Sequence, residues 1–306
     1  MGNEEFLKID NVTKVYGKHN VLSNVTFSIN EGEVIGLVGP NGAGKTTIMK
    51  IIVGLIRDYS GNVYLQGRNI RDKTKENRKN FGCVIEAPGF YPGLTGYENL
   101  KYFAKISGCE DEKEIDDIIK VLKIEDFMHK KVGKYSLGMK QRIGIAQAVL
   151  GKPDVLVLDE PTNGLDPNVV LEIRKFIKYV AQEKKIAVII SSHILSEIES
   201  MCEKVIFIKE GQIVDIVSLE QEKTVQNTIF VFKTKTPDRL IEFLKRNEIT
   251  AQKDEACNVV ANLEKYSIKG IFKMLEDSDI SVEEVYKQKQ SLEKRFMQTM
   301  EENEVE

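Results

Sequence analysis

The stretch Gly39-Pro40-Asn41-Gly42-Ala43-Gly44-Lys45-Thr46-Thr47 constrains this chain more than any other. It reads G-x-x-x-x-G-K-T, the pattern of a phosphate-binding loop. The apolar run Val34-Ile35-Gly36-Leu37-Val38 precedes it and a helical pattern from Thr46 to Val53 follows. That strand–loop–helix context is what the motif needs in order to work. Its glycines let consecutive backbone N–H groups turn onto phosphate oxygens, and the helix N-terminus adds the positive end of its dipole. Lys45 is placed to reach the β- and γ-phosphates, and the Thr46 hydroxyl to ligate Mg²⁺. Nucleotide binding, with Mg²⁺ as the expected metal, is therefore the first expectation.

The rest of the composition sets limits. A length of 306 residues suits about two domains. With 42% hydrophobic and 30% charged residues the chain can bury a core and remain soluble. A formal net charge of −3 argues against a nucleic-acid binder that relies on an overall basic field. Cys83, Cys109, Cys202 and Cys257 are far apart and include no C-x-x-C pair, which suits a reducing compartment without disulfides or a zinc site. The acidic start Met1-Gly2-Asn3-Glu4-Glu5 has no apolar h-region, and no apolar run approaches the ~18 residues of a membrane span. The expected location is the cytoplasm.

Buried strands alternating with helices predict an α/β fold with a mostly parallel sheet. Phe6 to Asn30, rich in Val and Ile, reads as antiparallel strands, and Asn62 to Gln66 as a further strand. Asn77 to Tyr97, broken by Gly and Pro, reads as a long loop around a short strand at Cys83–Ile85. Helical periodicity from Tyr97 to Met128 marks a helical subdomain inserted at about 90–150. Val155–Leu158 and Ala187–Ile190 are two more buried strands, and Val205 to Val217 a hairpin turning at Glu210-Gly211. The nucleotide domain is thus expected over 1–220, with a small α+β domain over 221–306. In the latter, strands are expected at Ile229–Thr234 and Cys257–Leu263, and helices from Thr236-Pro237 to Arg246 and over Ser267–Glu276. A last helix over Ser281–Met300 is expected to open with the capping box Ser281-Val282-Glu283-Glu284. Its apolar face (Val285, Leu292, Phe296, Met300) would pack on its own domain or on a second copy, and the acidic tail would be solvated.

Further chemistry sits at strand ends. Asp159 and Glu160 follow the apolar strand Val155–Leu158. The first carboxylate can hold Mg²⁺ opposite Thr46, and the second can orient or deprotonate water. His193, in Ser191-Ser192-His193, lies past the third strand, at the edge where α/β sheets place ligands, and is assigned to the γ-phosphate.

Together these residues resemble the nucleotide-binding subunit of an ABC transporter over roughly 6–217. The phosphate loop, Gly39 to Thr47, corresponds to Walker A and Val155–Glu160 to Walker B. Asn163-Gly164-Leu165-Asp166 resembles the D-loop and His193 the switch histidine. Tyr16, in Lys14-Val15-Tyr16-Gly17, matches the aromatic that stacks on adenine. Tyr135-Ser136-Leu137-Gly138-Met139 stands where the family has Leu-Ser-Gly-Gly-Gln. Ser136 and Gly138 keep the ATP-contacting positions, while Tyr135, Leu137 and Met139 depart from the pattern.

Glu86 departs more sharply, because the family normally has Gln there. A carboxylate about 4 Å from a γ-phosphate charge would cost on the order of 4 kcal/mol at an effective dielectric near 20. Glu86 is therefore assigned to the nucleotide and metal side, with protonation or an outward orientation as the alternatives. Bacitracin-resistance and lantibiotic-immunity exporters resemble this chain in Glu86, in the Tyr-Ser-Leu-Gly-Met wording, in Leu94-Thr95-Gly96-Tyr97-Glu98-Asn99-Leu100 and in an added C-terminal domain. The resemblance implies an ATPase that forms a head-to-tail dimer with ATP, expected to be a homodimer. It also implies a separate transmembrane permease that holds the chain at the inner face of the membrane, and no nucleic-acid partner. Two other readings stay open: a soluble ABC ATPase outside transport, and a nucleotide-gated module with little turnover. Cargo is not readable from the sequence.

Overall fold

The computed structural model describes residues 5–72, 78–109, 111–219, 229–254, 256–263, 266–276, 278, 280–287 and 292–302. The expected domain junction near Gln221, residues 303–306 of the acidic tail and the side chains of Met300, Glu301 and Glu302 lie outside the described residues. Two compact units emerge, Met1–Val217 with Thr299–Glu306, and Ser218–Gln298.

The first unit begins with β1 (Leu7–Tyr16) and β2 (His19–Ile29), paired antiparallel as their alternation predicts. Next come β3 (Val34–Val38), α1 (Lys45–Ile52), β4 (Ser60–Leu65), β5 (Arg68–Asn69) and β6 (Phe81–Val84). The strands β2-β1-β4-β5 make one sheet. Its inward residues Leu7, Ile9, Val12, Leu22, Val25 and Ile29 are buried against Ile48, Met49, Ile51 and Ile52 of α1.

The inserted segment folds as α2 (Gly96–Ser107) and α3 (Glu112–Val121), followed by α4 (Leu137–Val149). Thr95 and Glu98 form a reciprocal capping box that starts α2. Buried Asn99 ties this start to the preceding loop: its side-chain amide donates to the Tyr91 and Thr95 carbonyls, and its Oδ1 accepts from the Tyr91 amide.

After α4 come β7 (Val155–Leu158), α5 (Pro167–Gln182), β8 (Ala187–Ser191), α6 (Leu195–Met201), β9 (Lys204–Lys209) and β10 (Gln212–Ser218). The central sheet runs β10-β9-β3-β8-β7-β6. Strands β9, β3, β8, β7 and β6 are mutually parallel. Every residue of β3, β7 and β8 is buried, as expected of strands covered on both faces. The α/β fold read from the sequence is thus the fold observed. Glu210 (φ 48°) and Gly211 (φ 78°) turn the β9–β10 hairpin with the two left-handed residues a tight hairpin requires. In this parallel array the segments after β3, β8, β7 and β6 all leave the same sheet edge, side by side.

The second unit runs β11 (Ile229–Thr234), α7 (Pro237–Arg246), β12 (Ala251–Lys253), β13 (Val259–Asn262), α8 (Ile268–Leu275) and β14 (Val282–Lys287); α9 (Leu292–Glu302) starts in this unit, and its residues from Thr299 on are grouped with the first. The sheet order β12-β13-β11-β14, antiparallel throughout, is that of a split βαβ, or ferredoxin-like, unit. Leu240 and Leu244 of α7 and Ile271 and Leu275 of α8 bury one sheet face with Phe232, Val259 and Ala261.

One expectation is overturned here. The helix expected over Ser281–Met300 is a strand over Val282–Lys287, and the helix described after it spans Leu292–Glu302. The expected capping box is replaced by cross-strand contacts. Glu284 pairs with Lys233 at 2.6 Å, the Thr234 hydroxyl donates to the Ser281 carbonyl, and Val285 lies opposite Phe232. A register shift at Lys233/Thr234 lets Val282 and Val285 both reach the same core. Tertiary pairing here outweighs a local helix-start signal. Truncation of fully buried Phe232 to Ala is expected to destabilise this unit by about 3–5 kcal/mol. Urea unfolding followed by hydrogen exchange across β11 and β14 would detect it.

Candidate functional site

The phosphate loop joins β3 to α1. Gly44 caps α1 in a left-handed conformation (φ 103°), with Leu22 Cδ2 2.7 Å from where a Cβ would stand, so only glycine fits. Asn41 to Thr47 line a cavity of about 640 Å³ together with Val21, Asp159, Glu160, Asn163 and His193. Lys45 is buried, and its ammonium donates to the carbonyls of Gly39 (2.6 Å) and Pro40 (3.0 Å). Burial lowers its pKa, while the facing carboxylates of Glu160 and Asp159 oppose the shift.

Across the cavity, hydrogen bonds link the ends of β7 and β8 to the start of α1. The Thr46 hydroxyl donates to Asp159 Oδ2 at 2.8 Å. The Ser191 hydroxyl donates to Asp159 Oδ1 at 2.5 Å and accepts from the Glu160 amide at 2.8 Å. His193 Nδ1 lies 2.6 Å from Glu160 Oε2. A carboxylate oxygen can only accept, so Nδ1 carries the shared proton. Glu160 has a left-handed backbone (φ 50°), uncommon outside glycine and often found at functional sites. The paired oxygens of Thr46 and Asp159 have the hard-donor chemistry that suits Mg²⁺, and the loop's N–H groups and Lys45 suit a polyphosphate.

The structure therefore brings Lys45, Thr46, Asp159, Glu160 and His193 together around one cavity. It also adds Ser191, a fully buried residue at the end of β8. Its signal was a lone hydroxyl closing an apolar strand, Ala187 to Ser191, beside the histidine chosen instead.

Other expected residues stand elsewhere. Glu86 does not line the cavity; its carboxylate pairs with Lys50 at 2.6 Å. The hydrogen bond from Lys50 holds its carboxyl below the ordinary carboxylate range. Tyr16 is 49% exposed, with the Lys14 ammonium 4.5 Å from its ring centroid, and it too lies outside the cavity lining. Asp166 caps α5, accepting from the amides of Asn168 and Val169.

The signature segment is likewise outside this chain's own cavity. Ser136 caps α4 by accepting from the Met139 amide at 3.3 Å, and Gly138 lies near Leu165 and Val169. Tyr135, which departs from the family pattern, is buried, and its hydroxyl donates to the Phe127 carbonyl at 2.7 Å. Burial pushes its pKa up to about 12. A Cβ on Gly96 would lie 2.2 Å from that hydroxyl, so the tyrosine before the signature favours glycine at the opening of α2.

Comparison with known proteins agrees with this geometry. Residues 22–163 match the family described as ABC transporter. The chain is 37% identical to an uncharacterized ABC transporter ATP-binding protein, YhcH, of Bacillus subtilis, over 95% of both chains. The chain belongs to the ABC transporter ATP-binding proteins. It is similar to the bacitracin transport ATP-binding protein BcrA of Bacillus licheniformis, at 38% identity over 79% of each chain. It is also similar to the lantibiotic transport ATP-binding protein SrtF of Streptococcus pyogenes, at 41% identity over 68% of this chain and 89% of that one. A solved ATP-binding cassette, a dimer in a post-hydrolysis state with ADP and Pi, superposes with a TM-score of 0.64 at 28% identity, covering 70% of this chain and 98% of that one. The chain is thus an ATP-binding and ATP-hydrolysing ABC subunit, close to the bacitracin and lantibiotic group. Among the described residues no helix is long and apolar enough to cross a membrane.

Two predictions follow from these bonds. Ser191→Ala removes the acceptor of the Glu160 amide, and steady-state ATPase assays are expected to show a roughly tenfold lower kcat, the equivalent of about 1.4 kcal/mol. Because Tyr135 has a raised pKa in the fold, it binds its proton more tightly there than in the unfolded chain. Its contribution is complete below about pH 10 and is lost as pH rises toward about 12. Denaturation midpoints of Tyr135→Phe are therefore expected to fall less steeply than those of the parent across that window.

Proposed function

We propose that this subunit binds Mg-ATP between its phosphate loop and the ends of β7 and β8, and that a second copy of the chain completes the site in a head-to-tail homodimer. The dimer would drive a separate membrane permease from the cytoplasmic face, exporting an antimicrobial peptide or similar cargo. The observation that carries the nucleotide-site reading is the continuous bonded path Thr46–Asp159–Ser191–Glu160–His193, of which Thr46, Asp159, Glu160 and His193 line the cavity.

Bound Mg²⁺ would act as a Lewis acid on the phosphate oxygens. Thr46 and Asp159 would hold it. Lys45 would exchange the loop carbonyls it now contacts for phosphate oxygens. Glu160 is the group that takes a proton from water, and His193 fixes the direction of its carboxylate. Ser136 and Gly138, lying outside this chain's own cavity, are available to the cavity of a second copy. The permease would meet the loop around Glu86 and the helices α2 and α3, and residues 221–306 would be an accessory domain. Similarity to the bacitracin and lantibiotic proteins supports the peptide-export reading.

Glu160→Gln is expected to lower kcat by about 10²–10⁴-fold while leaving ATP binding intact, whereas Lys45→Ala should weaken binding itself. Turnover of Glu160→Gln within about threefold of the parent, far short of the loss expected for a general base, would remove Glu160 from that role.

A further inference from the structure

Two glutamates leave neighbouring strands of the central sheet in the same manner. β6 and β7 pair in parallel with Val84 opposite Leu158, so Glu86 and Glu160 each stand two residues past the last paired position. Both have left-handed backbones, φ 65° and φ 50°. Each meets a partner at 2.6 Å, Glu160 at His193 and Glu86 at Lys50. Lys50 lies four residues after Thr46 in α1, hence on the same helix face one turn further on. Of the ion pair, Lys50 is the less exposed side chain, 31% against 68% for Glu86. The rigid helix therefore fixes the ammonium, and the loop brings the carboxylate to it.

We propose that Lys50 is the positioning residue for Glu86, holding it at the rim of the nucleotide site and cancelling its charge there. A lone carboxylate at that rim repels a polyphosphate, whereas an ion pair presents only a dipole, whose field falls off faster. Lys50 thus explains how a glutamate is accommodated beside a polyphosphate site. The inference rests on the nucleotide site argued above and adds to it a residue outside the nucleotide motifs. Exposed ion pairs contribute little to fold stability, so the effect belongs in ligand affinity rather than in unfolding.

The test is ATP affinity measured calorimetrically in EDTA, where no turnover occurs, for the parent, Lys50→Gln, Lys50→Arg, Glu86→Gln and the Lys50→Gln/Glu86→Gln double variant. At about 50 mM salt, Lys50→Gln is expected to weaken binding by about threefold to fivefold, the upper range for an exposed charge pair. Lys50→Arg should retain parental affinity, and adding Glu86→Gln to Lys50→Gln should restore it. The loss should shrink at about 0.5 M salt, where screening shortens the reach of exposed charges. A loss that Glu86→Gln does not restore, or no loss at all, overturns the proposal. Should Lys50→Gln fail to fold, Glu86→Gln alone decides: an unopposed ammonium must tighten ATP binding, and unchanged or weaker binding overturns the proposal. Failure of the parent to bind ATP would instead contradict the nucleotide site itself.

Discussion

The site depends on the two oxygens of Asp159. One accepts from Thr46, at the start of the helix after the phosphate loop, and the other from Ser191, at the end of the neighbouring strand. Hydrogen bonds to a carboxylate are shorter and stronger than neutral ones, and here they join Asp159 to residues 113 and 32 positions away in sequence. Ser191 passes the constraint on: the hydroxyl that donates to Asp159 also accepts from the Glu160 amide. That bond helps to hold Glu160 in its left-handed conformation and aims its carboxylate at His193. The parallel sheet supplies the frame, since β3, β8 and β7 are wholly buried and deliver their ends to one edge.

What could be read in advance was local. The phosphate loop, the acids after an apolar strand and the histidine after the next strand each announce themselves within a few residues, and the fold places all of them on one cavity. The partnership of Lys50 with Glu86 spans thirty-six positions, so only the fold reveals it. Ser191 was visible but unremarkable, because its importance lies in bonds to two residues that follow another strand. The segment Val282–Lys287 misled because Ser281 and Glu284 spell a helix start, while Phe232 and Lys233 on the facing strand provide better partners. Tyr16 and Asp166 keep their motif positions but have local partners in the single chain, Lys14 and the amides of α5.

The altered signature has a structural counterpart in the inserted helices. Tyr135 fills the space that Gly96 leaves and bonds to Phe127, so the start of α2 and the approach to Ser136 are packed as one unit. A leucine at 135 would lack that hydroxyl, and a larger residue at 96 would collide with it. The second unit stands on its own physics, with a four-stranded sheet whose single helix-covered face is closed by Phe232, Leu240 and Ile271.

The central claim is that one chain holds half of each ATP site and a second copy supplies the rest. It is tested most directly by the mass in solution of Glu160→Gln, which should bind but not consume nucleotide, measured with and without Mg-ATP. The account predicts a monomer that becomes a dimer when Mg-ATP is added, and a return to monomer when Ser136 is replaced by a bulky residue. A mass unchanged by Mg-ATP, with nucleotide demonstrably bound, would contradict it.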